Sequence, residues 1–188
     1  KVYGYQYELD PSSRRWTAGV YDEGRRDWLY PLALNSSAQD RLMTGVYNKV
    51  RVECIGNTIR TWINGKPAAS VVDDMDLKGV IALQVHSIGN PAMAGKKIYW
   101  KNIRIKTSGL KPSTFPSSIY TVNTMVNQLS DAEMKSGWRL LFDGKTNNGW
   151  KGTYKESFPT TGWEIKDGIL KVLSSGGAES HNGGDIVT

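Results

Sequence analysis

Polar and apolar residues alternate with period two along much of the chain, the pattern of strands that bury one face. In residues 3–10, YGYQYELD, this places Tyr3, Tyr5, Tyr7 and Leu9 on one face and Gln6, Glu8 and Asp10 on the other. In residues 49–64, KVRVECIGNTIRTWIN, Gly56 and Asn57 separate two such runs as a two-residue hairpin turn that requires positive φ. Pairing outward from Ile55 and Thr58 sets Cys54 opposite Ile59, Glu53 opposite Arg60, Val52 opposite Thr61 and Arg51 opposite Trp62. That register predicts a core side of Val50, Val52, Cys54, Ile59 and Ile63. Its polar side carries Arg51, Glu53, Arg60, Trp62 and Asn64. Residues 79–86, GVIALQVH, predict a third strand with Ile81, Leu83 and Val85 inward and Ala82, Gln84 and His86 outward, and residues 98–105, IYWKNIRI, a fourth. Residues 14–27 and 89–97 read as loops, and residues 35–42 as one or two helical turns.

Residues 107–118, TSGLKPSTFPSS, have the Pro, Ser and Gly bias of a linker. Ser130 with Glu133 fits a capping box and predicts a short helix from 131 to about 136. Residues 138–142 and 163–172 read as strands again. In the latter, Asp167-Gly168 makes a tight turn, and Trp163, Ile165, Leu170 and Val172 share an apolar face. Residues 174–184 form a Gly-rich loop that lacks the Gly-Lys-Ser/Thr ending of a phosphate loop. Residues 185–188 open a further strand. Short strands, tight turns and almost no amphipathic helix predict an all-β, jelly-roll β-sandwich with one short helix in the linker region.

Composition narrows the function. In 188 residues the 24 Lys and Arg exceed the 18 Asp and Glu, giving a net charge of +6, but the basic residues are scattered and predict no nucleic-acid partner. No apolar run approaches the roughly 20 residues of a membrane span. Cys54, the single cysteine, excludes an intrachain disulfide. Seven Trp and nine Tyr against three Phe favour rings with a polar handle, suited to stacking on ligands. A sheet whose outer face carries such rings among acidic and basic groups is what a saccharide groove requires.

The candidate chemistry lies on those polar faces. Glu8 and Asp10, two apart on a strand, would set their carboxylates about 7 Å apart. That is nearer to the spacing of inverting than of retaining glycosidase pairs, and it is equally the pattern of a solvated strand face. His86, beside Gln84, is a structural histidine, a general base or, with Glu8, a metal ligand; a divalent metal is the one cofactor to consider. Arg51 and Trp62 form a cross-strand cation-π pair that can also hold a sugar by guanidinium hydrogen bonds and ring stacking. Gln6, Arg51, Trp62 and Gln84 are the substrate-binding candidates, and Glu8, Asp10 and His86 the catalytic ones.

YGYQYELD, the stretch WTAGVYDEGRRDWLYPL from Trp16, VYNKVRVECIGNTIRTWINGKPAA from Val46, GVIALQVHS from Gly79 and YWKNIRI from Tyr99 together resemble the 3-keto-disaccharide hydrolase family. GWRLLFDGKTNNGWKG from Gly137, GWEIKDGILKVL from Gly162 and GGDIVT from Gly183 resemble the opening of the same domain. Residues 1–107 therefore read as the second half of one copy, 108–136 as a linker with a short helix, and 137–188 as the first half of another copy, or as completing the first in a circular permutant. The resemblance implies a concanavalin-A-like sandwich and cleavage of (3-keto-)glycosides by hydrolysis or by elimination and hydration, the alternative being a non-catalytic lectin-like module. It also aligns Gln84 and His86 with an LQ-x-H segment of the family. It implies export to periplasm or cell surface, and the two incomplete halves predict unpaired edges through which copies of the chain associate.

Overall fold

The computed structural model describes residues 3–85, 89–174 and 183–188. The chain is all-β, with two sheets packed face to face around one core. The first sheet has the order β1 (Gly4–Tyr7), β2 (Val20–Glu23), β3 (Asp27–Tyr30), all antiparallel. The second has the order β4 (Val50–Ile55), β5 (Thr58–Ile63), β6 (Lys66–Val72), β7 (Val122–Asn123), the last parallel to β6. A 3-10 segment, Leu32–Ala38, connects the sheets and lays Leu32 and Ala38 into the core.

The β4–β5 register is the one the Gly56-Asn57 turn dictates, from Ile55 opposite Thr58 to Arg51 opposite Trp62. Gly56 takes the positive φ of 59° that the turn demands. Ile59, Thr61 and Ile63 are buried against the first sheet, and the Thr61 hydroxyl joins the two layers: it donates to the Ala18 carbonyl at 2.6 Å and accepts the Ala69 N–H at 3.0 Å. Val52 and Cys54, expected in the core, are instead exposed. They point to the same side, but β4 is an edge strand, and of its residues only Val50 packs against the core among the described residues.

Several elements differ from expectation. Residues 14–27 are not one loop, because Val20–Glu23 and the following Asp27–Tyr30 pair as β2 and β3 across a turn at residues 24–26. Strand β6, which the sequence did not announce, is among the most buried: Ala68, Ala69, Ser70 and Val71 are almost wholly inaccessible. Its two alanines let the sheets approach, while Pro67 stands beside the bulge between Arg60 and Trp62, where a missing N–H is tolerated. Within residues 79–85 and 98–105 no strand forms, and Val80, Ile81, Val85, Ile98, Ile103 and Ile105 are exposed. Alternation prepares a face for burial, but a strand persists only where a neighbour takes up its hydrogen bonds, and neither segment pairs with a described strand, although the Lys101 ammonium lies 3.8 Å from the Tyr47 ring. Residues 138–142 are likewise irregular.

After β7 the capping box forms as written: the Ser130 side chain accepts the Glu133 N–H, the Glu133 carboxylate accepts the Ser130 N–H, and α1 (Asp131–Lys135) follows. Two small two-stranded sheets complete the chain, β8 (Lys151–Gly152) with β11 (Ile186–Val187) and the hairpin β9 (Trp163–Lys166) with β10 (Ile169–Val172). Asp167 and Gly168 between the latter both have positive φ, as a type I′ turn requires. None of these four strands contributes to the buried core cluster.

Candidate functional site

The outer face of the first sheet gathers polar and aromatic groups. On β1, Tyr5 and Tyr7 pack on the core, so Gln6 faces outward, and the Gln6 amide donates to Glu8 Oε2 at 2.7 Å. Glu8 lies just beyond β1, yet its backbone still pairs, its N–H with the Gly19 carbonyl at 3.1 Å and its carbonyl with the Ala18 N–H at 2.9 Å. That pairing keeps the carboxylate on the strand's outward side. Opposite Gln6 on β2 stands Tyr21, and opposite Tyr21 on β3 stands Trp28.

The rings form a continuous patch. Trp28 meets Tyr21 edge to face at 5.2 Å and Trp16 edge to face at 4.9 Å, and the Arg14 guanidinium lies 5.1 Å from the Trp16 ring and 5.6 Å from the Trp28 ring. Close packing here depends on Gly19: a Cβ at that position would sit 2.8 Å from the Tyr30 carbonyl oxygen and 3.0 Å from the Trp28 ring. The Tyr21 hydroxyl donates to Asp27 at 2.7 Å. That bond, with the charges of Asp27, Glu23 and Glu8 adding to it, raises the pKa of Tyr21 above the usual phenol value, so it stays a neutral donor. The face thus offers ring surfaces, a carboxylate, an amide and a phenol within one sheet.

Asp10 does not join Glu8 on this face. The strand has ended, and the buried Asp10 carboxylate accepts the Ser12 N–H at 3.0 Å and Arg14 Nε at 3.1 Å, closing the loop that leads to Trp16. Burial opposes its ionisation, but these donors outweigh burial and hold its pKa below the ordinary Asp value.

Arg51 and Trp62 lie on the opposite outer face of the sandwich, because Thr61 and Ile63 are the β5 residues that point into the core. The Arg51 guanidinium sits 4.4 Å from the Trp62 ring. Glu53 pairs with Arg51 at 2.8 Å and more loosely with Arg60 at 3.9 Å. Trp62 is only 6% exposed, because Phe115 from the expected linker meets it edge to face at 5.3 Å. Gln84 is exposed in a segment without regular structure, and His86 lies outside the described residues. The structure therefore brings Gln6 and Glu8 together, places Arg51 with Trp62 elsewhere, and sends Asp10 into its own loop. Among the described residues no three His, Cys, Asp or Glu side chains converge to hold a metal ion.

Trp28 and Trp16 are members of the patch that the sequence does not single out, and Tyr21, read from the sequence as part of a loop that could close over the groove, stands instead on β2. Their signal was the aromatic spacing in WTAGVYDEGRRDW, legible only once β2 and β3 are recognised as strands.

Comparison with known proteins gives this face its context. Residues 1–106 and 137–188 match the family described as the 3-keto-alpha-glucoside-1,2-lyase-like domain. The chain belongs to this family. A 3-keto-disaccharide hydrolase of Bacteroides thetaiotaomicron is 45% identical over 53 residues, an alignment that covers 27% of this chain and 18% of that protein. The residues that carry both candidate faces, from Gln6 to Trp62, fall inside the family match, whereas 107–136, which supplies Phe115, falls outside it. A carbohydrate-active role agrees with the ring-and-carboxylate composition of the first face.

Proposed function

We propose that the chain binds a saccharide on the outer face of β1–β2–β3 and cleaves the glycosidic bond of a 3-keto-glycoside there. The observation that carries this reading is the hydrogen-bonded Gln6–Glu8 pair beside the Trp16–Trp28–Tyr21 patch. Ring faces of this kind stack on the apolar side of a pyranose, while an amide and a carboxylate bridge its hydroxyls.

The chemistry follows from the ketone. A carbonyl at C3 acidifies the hydrogen on C2, and a base such as Glu8 removes that proton to leave an enolate. The enolate electrons then re-form the C3 carbonyl, make a C1–C2 double bond and expel the aglycone oxygen, which takes a proton to leave as an alcohol. Water adds back across C1 and C2, so the net change is hydrolysis without an oxocarbenium ion. His86 is the other base this reading admits. The domain organisation we favour is tandem, with 1–107 and 137–188 drawn from consecutive copies joined by 108–136; among the described residues none of the core cluster comes from 137–188, which supports it.

The second reading, a lectin-like module, is favoured by Asp10, whose carboxylate is held by Ser12 and Arg14 in its own loop and does not face the same side as Glu8. One experiment separates the two: cleavage of p-nitrophenyl 3-keto-α-glucoside by the protein as purified, compared with Glu8→Gln and Trp28→Ala. The enzyme reading expects Glu8→Gln to lower kcat by about 100-fold or more with KM within a few-fold, and Trp28→Ala chiefly to raise KM. Binding of the ketoglycoside without turnover would leave the lectin reading. Unchanged kinetics in both variants would remove this face from the reaction.

A further inference from the structure

The expected linker does not run free: residues 113–115 lie across the outer face of β4–β5. The Ser113 N–H donates to Glu53 Oε1 at 3.1 Å, and its hydroxyl donates to Glu53 Oε2 at 2.6 Å while accepting from Arg51 Nη2. Arg60 Nη1 donates to the Ser113 carbonyl at 3.1 Å. Phe115 covers Trp62 and lies 5.2 Å from the Arg60 guanidinium. A hydroxyl that donates to a carboxylate and accepts from a guanidinium, next to an indole covered by a ring-sized apolar group, is the bonding pattern of a bound sugar unit. The fit is incomplete, because the buried Arg60 Nε has no acceptor among the described residues. A donor left this way costs free energy that a ligand with more hydroxyls recovers.

We propose that the Arg51–Glu53–Arg60–Trp62 face is a second saccharide-binding platform and that residues 113–115 are its intramolecular latch, displaced when a neutral oligosaccharide binds. The inference rests on the carbohydrate-binding reading but concerns the opposite face of the sandwich from Glu8. The latch lies in the interval that the family match skips, so the device belongs to this chain and not to the family domain.

The test is calorimetric titration of the protein with maltotetraose and cellotetraose. A released form, Ser113→Ala with Phe115→Ala, is expected to bind one of them at least tenfold more tightly than the unaltered protein, and Ser113→Ala alone to show part of that gain. Trp62→Ala in the released form is expected to cancel the gain; where that buried ring proves necessary for folding, Arg51→Gln takes its place. The free peptide KPSTFP is expected to compete with the sugar. Equal affinity before and after release, no binding by the released form, or a gain that survives loss of Trp62 or Arg51 overturns the latch. Trp28→Ala, titrated alongside, reports only on the first face, so failure of that reading appears there and leaves the Trp62 result interpretable.

Discussion

At the scale of single residues, backbone pairing and local donors decide which carboxylate is left for chemistry. Glu8 and Asp10 are two apart in a perfectly alternating run, and their common face was the natural expectation. The end of β1 at Tyr7 and the donors supplied by Ser12 and Arg14 separate them, and both depend on a loop whose shape alternation does not encode. Gly19 is a comparable case, since its role is set by atoms distant in sequence. Gly19→Ala would drive a Cβ against the rigid Tyr30 carbonyl and against Trp28, so the patch must shift. The expected cost is about 1–3 kcal/mol of stability, as for overpacking in a core, accompanied by a change in tryptophan emission. Denaturant unfolding followed by fluorescence checks both, and an unchanged midpoint and spectrum would mean that the patch has more room than its geometry indicates.

At the scale of elements, what was legible is what turn chemistry encodes. The Gly56-Asn57 and Asp167-Gly168 turns fixed two hairpins and their registers, and the Ser130–Glu133 box fixed α1. The strands that escaped are those whose character comes from their neighbours. Strand β6 reads KPAASVV, too rich in Ala and interrupted by Pro, yet the sheet in front of it makes small residues the right ones. The turn that leads into it is Asn64-Gly65, both at positive φ, which takes β5 into β6. The Asn64 side chain adds a second function: its Oδ1 accepts the Lys49 N–H at 2.8 Å, and its Nδ2 donates to the Arg41 carbonyl at 2.7 Å and to Asn48 at 2.8 Å. One residue thus holds the turn and stitches the entry of β4 beside it. Asn64→Ala removes these bonds and adds left-handed strain, for an expected loss of about 2–3 kcal/mol. Asn64→Gly relieves the strain but not the lost bonds, so it should recover only part of that loss. A urea series on the two variants separates the contributions.

At the scale of the whole molecule, a buried charge network reinforces the joint that the core makes between the two sheets and the segment around β7. Asp22 on β2 and Asp73 after β6 are almost wholly buried, and Arg26 bridges them at 2.6 Å each, while Arg25 joins Asp22 to Asp76 at 2.6 Å on either side. Tyr5 from β1 and Thr124 from the segment after β7 donate to Asp73 as well. The first sheet, the end of the second and the segment after β7 therefore meet at one carboxylate. Burial alone would raise the pKa of Asp73, but Arg26, Thr124, Tyr5 and the Met75 N–H outweigh burial and hold it well below the ordinary value. The sign of the pH effect follows: a depressed folded-state pKa gives stability that is full above the unfolded Asp value of about 3.9 and is lost as pH falls from there toward the folded value. Acid should therefore loosen this junction at pH below about 4, with the segment bearing Thr124 released along with the edge of the first sheet. Asp73→Asn leaves Arg26 with one carboxylate in place of two and is expected to cost about 3–5 kcal/mol near neutrality. In the variant, the fall in melting temperature between pH 5 and pH 2 should be shallower than in the unaltered protein, because the group that titrates is gone. Thermal melts at a series of pH values measure both quantities. Parallel slopes in the two proteins would show that other carboxylates, not Asp73, govern the acid response.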